Sequence, residues 1–175
     1  MDESTAEQWA VIGAETMKNQ PRVAEEVLAM LRRLEGITDG FNADQLVHAL
    51  QTATLAERAG ADEELIVASL CHDIGKVISV FNHPEIAAAI LRPYVRPEVV
   101  EVIRVHQDFQ GAHYYHHFGA DPNAREQYRD EPFFDEAARF ADEWDQVAFD
   151  PDGPYEPLEH FEPMVRRVFA QPRGM

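Results

Sequence analysis

The sequence is poor in cysteine, in positive charge and in long apolar runs. One cysteine, Cys71, occurs among 175 residues, so no disulfide can close within the chain. A reducing compartment, the cytoplasm, is the setting that suits such a chain. Lys and Arg together number 15 against 32 Asp and Glu, a formal net charge of −17. Nucleic-acid binding depends on cations that neutralise phosphates, and no Lys/Arg-rich stretch supplies them here, which excludes a nucleic acid as partner. No segment approaches the roughly 20 apolar residues that cross a bilayer, so no membrane-spanning helix is expected. Met1-Asp2-Glu3-Ser4 lacks the basic and apolar regions of a secretory signal, so none is expected. A convincing alternating strand is missing as well. A small molecule held in a recess remains compatible with this charge.

What is present is helical periodicity from end to end, and the expected fold is all-α, a single domain built as a helical array. A weakly amphipathic segment covers about Thr5 to Met17. A second starts at Pro21 and carries Val23, Val27, Met30, Leu31 and Leu34 up to Gly36. Gly36 to Phe41 reads as a loop, after which Asn42 is expected to cap a helix running to Gly60, with Gln45 completing a capping box. Asp62 starts the helix that leads into Cys71-His72-Asp73, and Ile74-Gly75-Lys76 ends or bends it. Pro84 and Pro97 occupy first-turn positions of two further helices, the second reaching about Gln107. Asp108 to Asp121 shows no period and reads as an irregular aromatic loop. Helices are expected again from Pro132 to about Phe149 and from Glu159 to Phe169, separated by a proline-rich turn. The division that follows is residues 1–41 as N-terminal helices packed on the core, 42–170 as the main domain and 171–175 as a tail.

The chemistry begins at His72-Asp73. Neighbours on a regular helix point about 100° apart, so both can serve one site only where the helix finishes, and Gly75 supplies that freedom. An imidazole beside a carboxylate suits a divalent metal, and the carboxylate can bridge two ions. His48 sits on an inward face with Thr52 and Leu55, and His106 shares a face with Val99, Val102 and Ile103. His83 stands just before Pro84. Asp145 continues the stripe Phe134, Ala138, Ala141, Ala148, where an unpaired carboxylate would be costly; Asp142 and Glu143 are its rivals. Taken singly these residues have plainer explanations: a surface turn for His72-Asp73, satisfied core histidines for His48 and His106, a helix cap for His83. Taken together, one dinuclear site satisfies four histidines and two aspartates at once.

The run from His48 to Ala53 and on through Leu70-Cys71-His72-Asp73-Ile74-Gly75-Lys76 resembles the first half of an HD domain. The pattern H…HD…D of that superfamily lands on His48, His72, Asp73 and Asp145, and the two further histidines of its dinuclear members are matched by His83 and His106. The spacing, the His83-Pro84-Glu85 helix start and Trp144-Asp145 are most similar to the HD-domain mixed-valent diiron oxygenases, which include phosphonate-cleaving oxygenases and inositol oxygenase. The resemblance covers about Asn42 to Phe169. It implies two iron ions, Fe(II)/Fe(III), that activate O2 and oxidise a carbon next to a hydroxyl. It further implies one ion on His48, His72, Asp73 and Asp145 and the other on Asp73, His83 and His106, with Asp73 bridging. Lys76 matches a substrate-contacting lysine of inositol oxygenase, and the same lysine is common in HD phosphohydrolases.

Two motifs of the phosphonate-cleaving members are absent. Their Tyr-x-Gly-Glu stretch is Thr38-Asp39-Gly40-Phe41 here, and the lysine after their last histidine ligand is Gln110. The segment with Gln110, His113, Tyr114, His116 and His117 is the expected substrate wall, its aromatic faces able to hold a cation; packing as a lid on the core is the plainer reading. His160 is assigned to no site. The expected activity is thus an O2-dependent oxygenase acting on a small polar hydroxylated molecule. The alternative is an HD phosphohydrolase using Mn, Mg or Zn on a small phosphoester, disfavoured by the scarcity of Lys and Arg near the site. The N-terminal helices, outside the resemblance, leave room for a homodimer contact.

Overall fold

Short polar side chains and prolines open most of the helices. In the computed structural model, which describes residues 1–174, Thr5 starts α1 (Ala6–Met17) through a reciprocal capping box with Gln8. A three-residue 3-10 turn containing Pro21 precedes α2 (Val23–Arg32). Helix α3 (Gln45–Arg58) is capped by Asp44 rather than by the expected Asn42. The Asp44 carboxylate accepts the Val47 N–H at 2.9 Å and, with its other oxygen, the Gly36 N–H at 3.0 Å. One side chain therefore both starts α3 and ties the preceding loop to it, and Gln45 is left free for another task. Gly60, at φ 74°, turns the chain back after α3.

Asp62 caps α4 (Glu63–Cys71), whose residues from Leu65 to Cys71 are all buried. The 3-10 turn Ile74–Val77 follows, then α5 (His83–Leu91) and α6 (Pro97–Tyr114), each with a proline in its first turn. Helix α6 continues well past Gln107, so most of the expected aromatic loop is helical. The reason is that Phe109, fully buried, extends the stripe of Val99, Val102 and His106 by one more turn. Only at Tyr115–Phe118 does it tighten to a 3-10 turn, closed by Gly119 at φ 71°.

The helix expected from Pro132 to Phe149 is shorter and not uniform. Helix α7 (Phe134–Arg139) passes into a π-helical turn over Phe140–Asp145, which places Phe140, Ala141, Trp144 and Asp145 all in the interior. A π turn adds a residue to the helical circuit, and such turns recur at functional sites. Helix α8 (Leu158–Val168) completes the set, and no strand occurs among the described residues.

Helix α3 packs on α4, α5 on α6, and the π turn lies across both α3 and α6; α8 covers α4 and α2. The core between them holds Phe109, Phe140, Trp144, Phe161 and Phe169, all at most 2% exposed. Of the two N-terminal helices, α2 buries Ala24, Val27, Leu28 and Leu31, whereas α1 buries no residue. Packing on the core is therefore a property of α2 alone. The segment after the π turn is pinned to α3 from the other side: Gln51 donates to the carbonyls of Asp150 and Gly153, and the Glu156 N–H donates to Thr54 at 2.9 Å.

Candidate metal centre

His48, His72, Asp73, His83, His106 and Asp145 are the chain's buried histidines and aspartates, none more than 2% exposed. They come from α3, the end of α4, the start of α5, the middle of α6 and the π turn. His72 is the last residue in helical geometry after α4, and Asp73 leaves it at φ −100°, ψ 4°. That break turns two sequence neighbours toward one centre. Gly75 contributes differently from expectation. Its backbone is not in the left-handed region; instead a Cβ there would fall 2.4 Å from the His83 carbonyl oxygen. Glycine is what lets the start of α5 lie directly on the turn after Asp73.

Each histidine is oriented by its own backbone contact. The Nδ1–H of His48 donates to the Ala148 carbonyl at 2.9 Å. Those of His72, His83 and His106 donate to Ser69, Val80 and Ile103, each at 2.7 Å. With Nδ1 committed as donor, a neutral imidazole carries its lone pair on Nε2, and all four Nε2 atoms point inward. His48 Nε2 lies 3.0 Å from His72 Nε2, and His83 Nε2 lies 3.3 Å from His106 Nε2. Paired lone pairs at that separation repel unless a cation stands among them. His83 caps nothing: Asn82 is the cap residue and no side-chain capping bond forms.

The carboxylates complete two groups. Asp145 Oδ1 is 3.1 Å from His48 Nε2 and 3.4 Å from His72 Nε2. Asp73 Oδ2 is 3.4 Å from His72 Nε2, while its Oδ1 is 2.8 Å from His83 Nε2 and 3.6 Å from His106 Nε2. Donor atoms of His48, His72 and Asp145 lie within 4.8 Å of one another, as do those of His72, Asp73 and His106. Asp73 Oδ1 and both Asp145 oxygens are buried without a hydrogen-bond partner. Orphaned carboxylate oxygens facing imidazole lone pairs are a donor set that fits divalent cations.

The charges agree. Burial alone would push the His72 pKa down, but the carboxylates of Asp73 and Asp145 outweigh it and raise it to about 10. Burial would raise Asp73 and Asp145, yet His72 and the neighbouring imidazoles hold both well below the usual carboxylate range. The site thus favours positive charge at its centre, whether carried by a proton or by a metal. At His106 burial prevails and the pKa falls, which keeps that ring neutral and its lone pair available.

A cavity of about 580 Å3 opens over Asp73, His83 and His106, whereas His48, His72 and Asp145 lie beneath its floor. Lys76 is the one Lys or Arg in its wall. Its ammonium donates to Asp73 Oδ2 at 2.7 Å and to Gln45 Oε1 at 3.1 Å. Of the expected substrate wall, Gln110, His113, Tyr114 and His117 line this cavity. His116 does not: the 3-10 turn after Tyr114 directs it outward, its ring 3.9 Å from that of His117. Asp142, weighed as a rival to Asp145, pairs instead with His113 and Arg125, both at 2.9 Å. His160 meets Glu57 at the surface.

Sequence reasoning missed the aromatic stack that supports His48. The Phe149 ring lies 3.9 Å from His48, and Phe41 stacks on its other side at 4.2 Å. It missed Asp39 as well, a non-glycine residue at φ 48° that reaches the cavity wall. The glycine pair around Asp39 was the signal for a tight loop, but nothing in the sequence gave its direction.

A helical array closed around buried imidazoles and carboxylates that could hold metal ions is an HD-domain architecture. The chain belongs to the HD domain family, which it matches over residues 46–150. It is also 36% identical over 70 residues to [1-hydroxy-2-(trimethylamino)ethyl]phosphonate dioxygenase (glycine-betaine-forming) of Leisingera caerulea. That similarity covers 34% of this chain and 36% of the relative, so the chain spans about a third of the protein it matches. Among the described residues no helix is long and apolar enough to cross a membrane.

Proposed function

We propose that this protein is a dinuclear HD-domain oxygenase that uses O2 and an Fe(II)/Fe(III) pair to oxidise a small polar molecule bearing a hydroxyl group. The observation that carries the reading is the division of the Asp73 carboxylate, one oxygen turned to His72 and the other to His83. In this reading His48, His72, Asp73 and Asp145 hold one ion and Asp73, His83 and His106 the other. Bound there, the pair supplies one-electron redox chemistry and activation of O2. The relative's name, a dioxygenase, supports iron over other metals.

The chain's own residues supply the rest. Asp73, His83 and His106, which would hold the cavity-facing ion, border the open space where a substrate oxygen could approach it, whereas His48, His72 and Asp145 are fully buried. Lys76 presents its ammonium at the cavity floor, where it can donate to that oxygen and fix which carbon faces the centre. Burial pushes the Tyr114 phenol up to about 12, so at neutral pH it stays protonated and serves as a donor in the wall. Phe41 and Phe118 add aromatic surface to the wall and can offer a face to a cationic end of the substrate, whereas Phe149 is held between His48 and Phe41. With Lys76 as the one strongly basic group in the wall, a doubly charged phosphoryl or phosphonyl group finds few partners.

The test is anaerobic loading of the metal-free protein with Fe(II), partial oxidation and EPR spectroscopy. The oxygenase reading expects an exchange-coupled mixed-valent signal that disappears in Asp73→Ala. Turnover of a generic phosphoester with Mn, Mg or Zn, independent of O2 and without such a signal in the iron protein, would replace it by the phosphohydrolase reading.

A further inference from the structure

Gln45 is fully buried, polar, and outside the cluster of buried histidines and aspartates. Its amide lies between two charges. The oxygen accepts from Lys76 Nζ at 3.1 Å, and the nitrogen donates to Asp39 Oδ2 at 3.4 Å. A lysine only donates and a carboxylate only accepts, so these two partners fix the orientation of the amide. The backbone N–H of Gln45 donates to the Ile37 carbonyl at 2.8 Å, anchoring the same loop a second time. Lys76 Nζ in turn lies 2.7 Å from Asp73 Oδ2 and 3.9 Å from Asp39 Oδ2. A continuous line thus runs from the loop residue Asp39 through Gln45 and Lys76 to the carboxylate at the middle of the centre.

From this geometry we infer that Gln45 and Asp39 are positioning residues that draw the Lys76 ammonium away from Asp73 and so tune how strongly the centre holds its cations. The inference rests on the metal-centre reading above. An ammonium on Asp73 Oδ2 occupies lone pairs that a metal ion would use and repels that ion at short range. Lys76 is therefore a competitor as well as a substrate contact. The acceptor Gln45 Oε1 and the negative charge of Asp39 provide the other side of the balance. Remove either, and the ammonium leans harder on Asp73. Through Gln45 the position of the loop over the cavity is coupled to the electron-donating power of the carboxylate beneath it.

The experiment is calorimetric titration of the chelator-stripped full chain with Mn(II), alone and in a double-mutant cycle. Gln45→Leu is expected to weaken Mn(II) binding by about tenfold, the scale on which outer residues act on metal sites. Asp39→Asn, which keeps the size of the loop side chain and removes its charge, is expected to weaken it in the same direction. Lys76→Met is expected to tighten binding, and in that background Gln45→Leu is expected to change nothing. A Gln45→Leu effect that persists with Lys76→Met would mean that Gln45 acts by propping α3 and His48, and would overturn the inference. Unchanged affinity in both Gln45→Leu and Asp39→Asn would overturn it as well. If the unmodified chain binds no Mn(II), the metal-centre reading itself fails, a result distinct from either of these.

Discussion

A Cβ placed on Gly75 would fall 2.4 Å from the carbonyl oxygen of His83 and 2.7 Å from its Cα. These are backbone atoms, which cannot rotate aside as the end of a side chain would. Gly75→Ala must therefore push the start of α5 away from the turn that follows Asp73. His83 Nε2, now 2.8 Å from Asp73 Oδ1, moves with it. The expected result is a loss of about 1–3 kcal/mol in stability, typical of overpacking, together with weakened binding of one metal ion and retention of the other. Chemical denaturation and metal analysis of the same variant check both halves.

His83→Ala tests the cavity-facing position without disturbing the backbone. It should reduce the metal content from two ions per chain to one, leaving the lower group of His48, His72 and Asp145 intact. Asp145→Ala should do the reverse. Retention of two ions by the His83 variant, measured by plasma emission after dialysis, would show that His83 is no ligand.

Asp73→Ala removes the carboxylate shared by both groups, and neither ion should survive dialysis. Loss of only one would mean that the two groups bind independently and that Asp73 does not bridge them. Its partners are buried histidines, so circular dichroism is needed to show that the chain still folds.

The pH dependence of stability should differ between stripped and loaded protein. In the stripped chain the His72 pKa is raised from 6.5 to about 10, so its contribution is complete below pH 6.5 and is lost as pH rises toward 10. Asp73 and Asp145 are shifted down, so theirs is present above about pH 4 and is lost in acid. Thermal melts of the stripped chain should thus show an alkaline decline above about pH 6.5, while on the acid side the lowered His106 pKa and then the carboxylates withdraw stability. Metal in place of the proton should remove that decline, and loading at neutral pH should release protons. Superimposable alkaline limbs for the two forms would contradict this account of the site.

Helix α1 offers a control of opposite character. It buries no residue and leaves Trp9, Val11, Ile12 and Met17 exposed. Deleting residues 1–18 should change the stability of the remaining chain by no more than about 0.5 kcal/mol, as for surface changes generally. A larger loss that depends on protein concentration would place α1 in a contact between two copies, readable by sedimentation velocity.

The helices and the six clustered side chains were legible because each carries a local signal. Periodicity placed His48 and His106 on buried faces, and a carboxylate on an apolar stripe singled out Asp145 over Asp142 and Glu143. What stayed hidden depends on backbone geometry that periodicity does not encode. The π turn at Phe140–Asp145 interrupts the helix without any glycine or proline to announce it. The continuation of α6 to Tyr114 was masked by glycine and a crowd of aromatic and imidazole residues, although Phe109 kept the buried stripe going. Asp44 and Asn42 are equally good caps in sequence; the loop geometry that lets Asp44 reach the Gly36 N–H decides between them. The direction of Asp39 and Phe41, and with it the roof of the cavity, is set by contacts to residues far along the chain, Lys76 and Phe149.

The most direct test of the two-ion centre is anomalous diffraction at the iron edge from crystals of the anaerobically loaded protein. Two peaks are expected, one among His48, His72 and Asp145 and one between His83 and His106, with the Asp73 carboxylate reaching both. A single peak, or peaks that leave His83 and His106 without metal, would contradict the dinuclear centre on which the proposed oxidation depends.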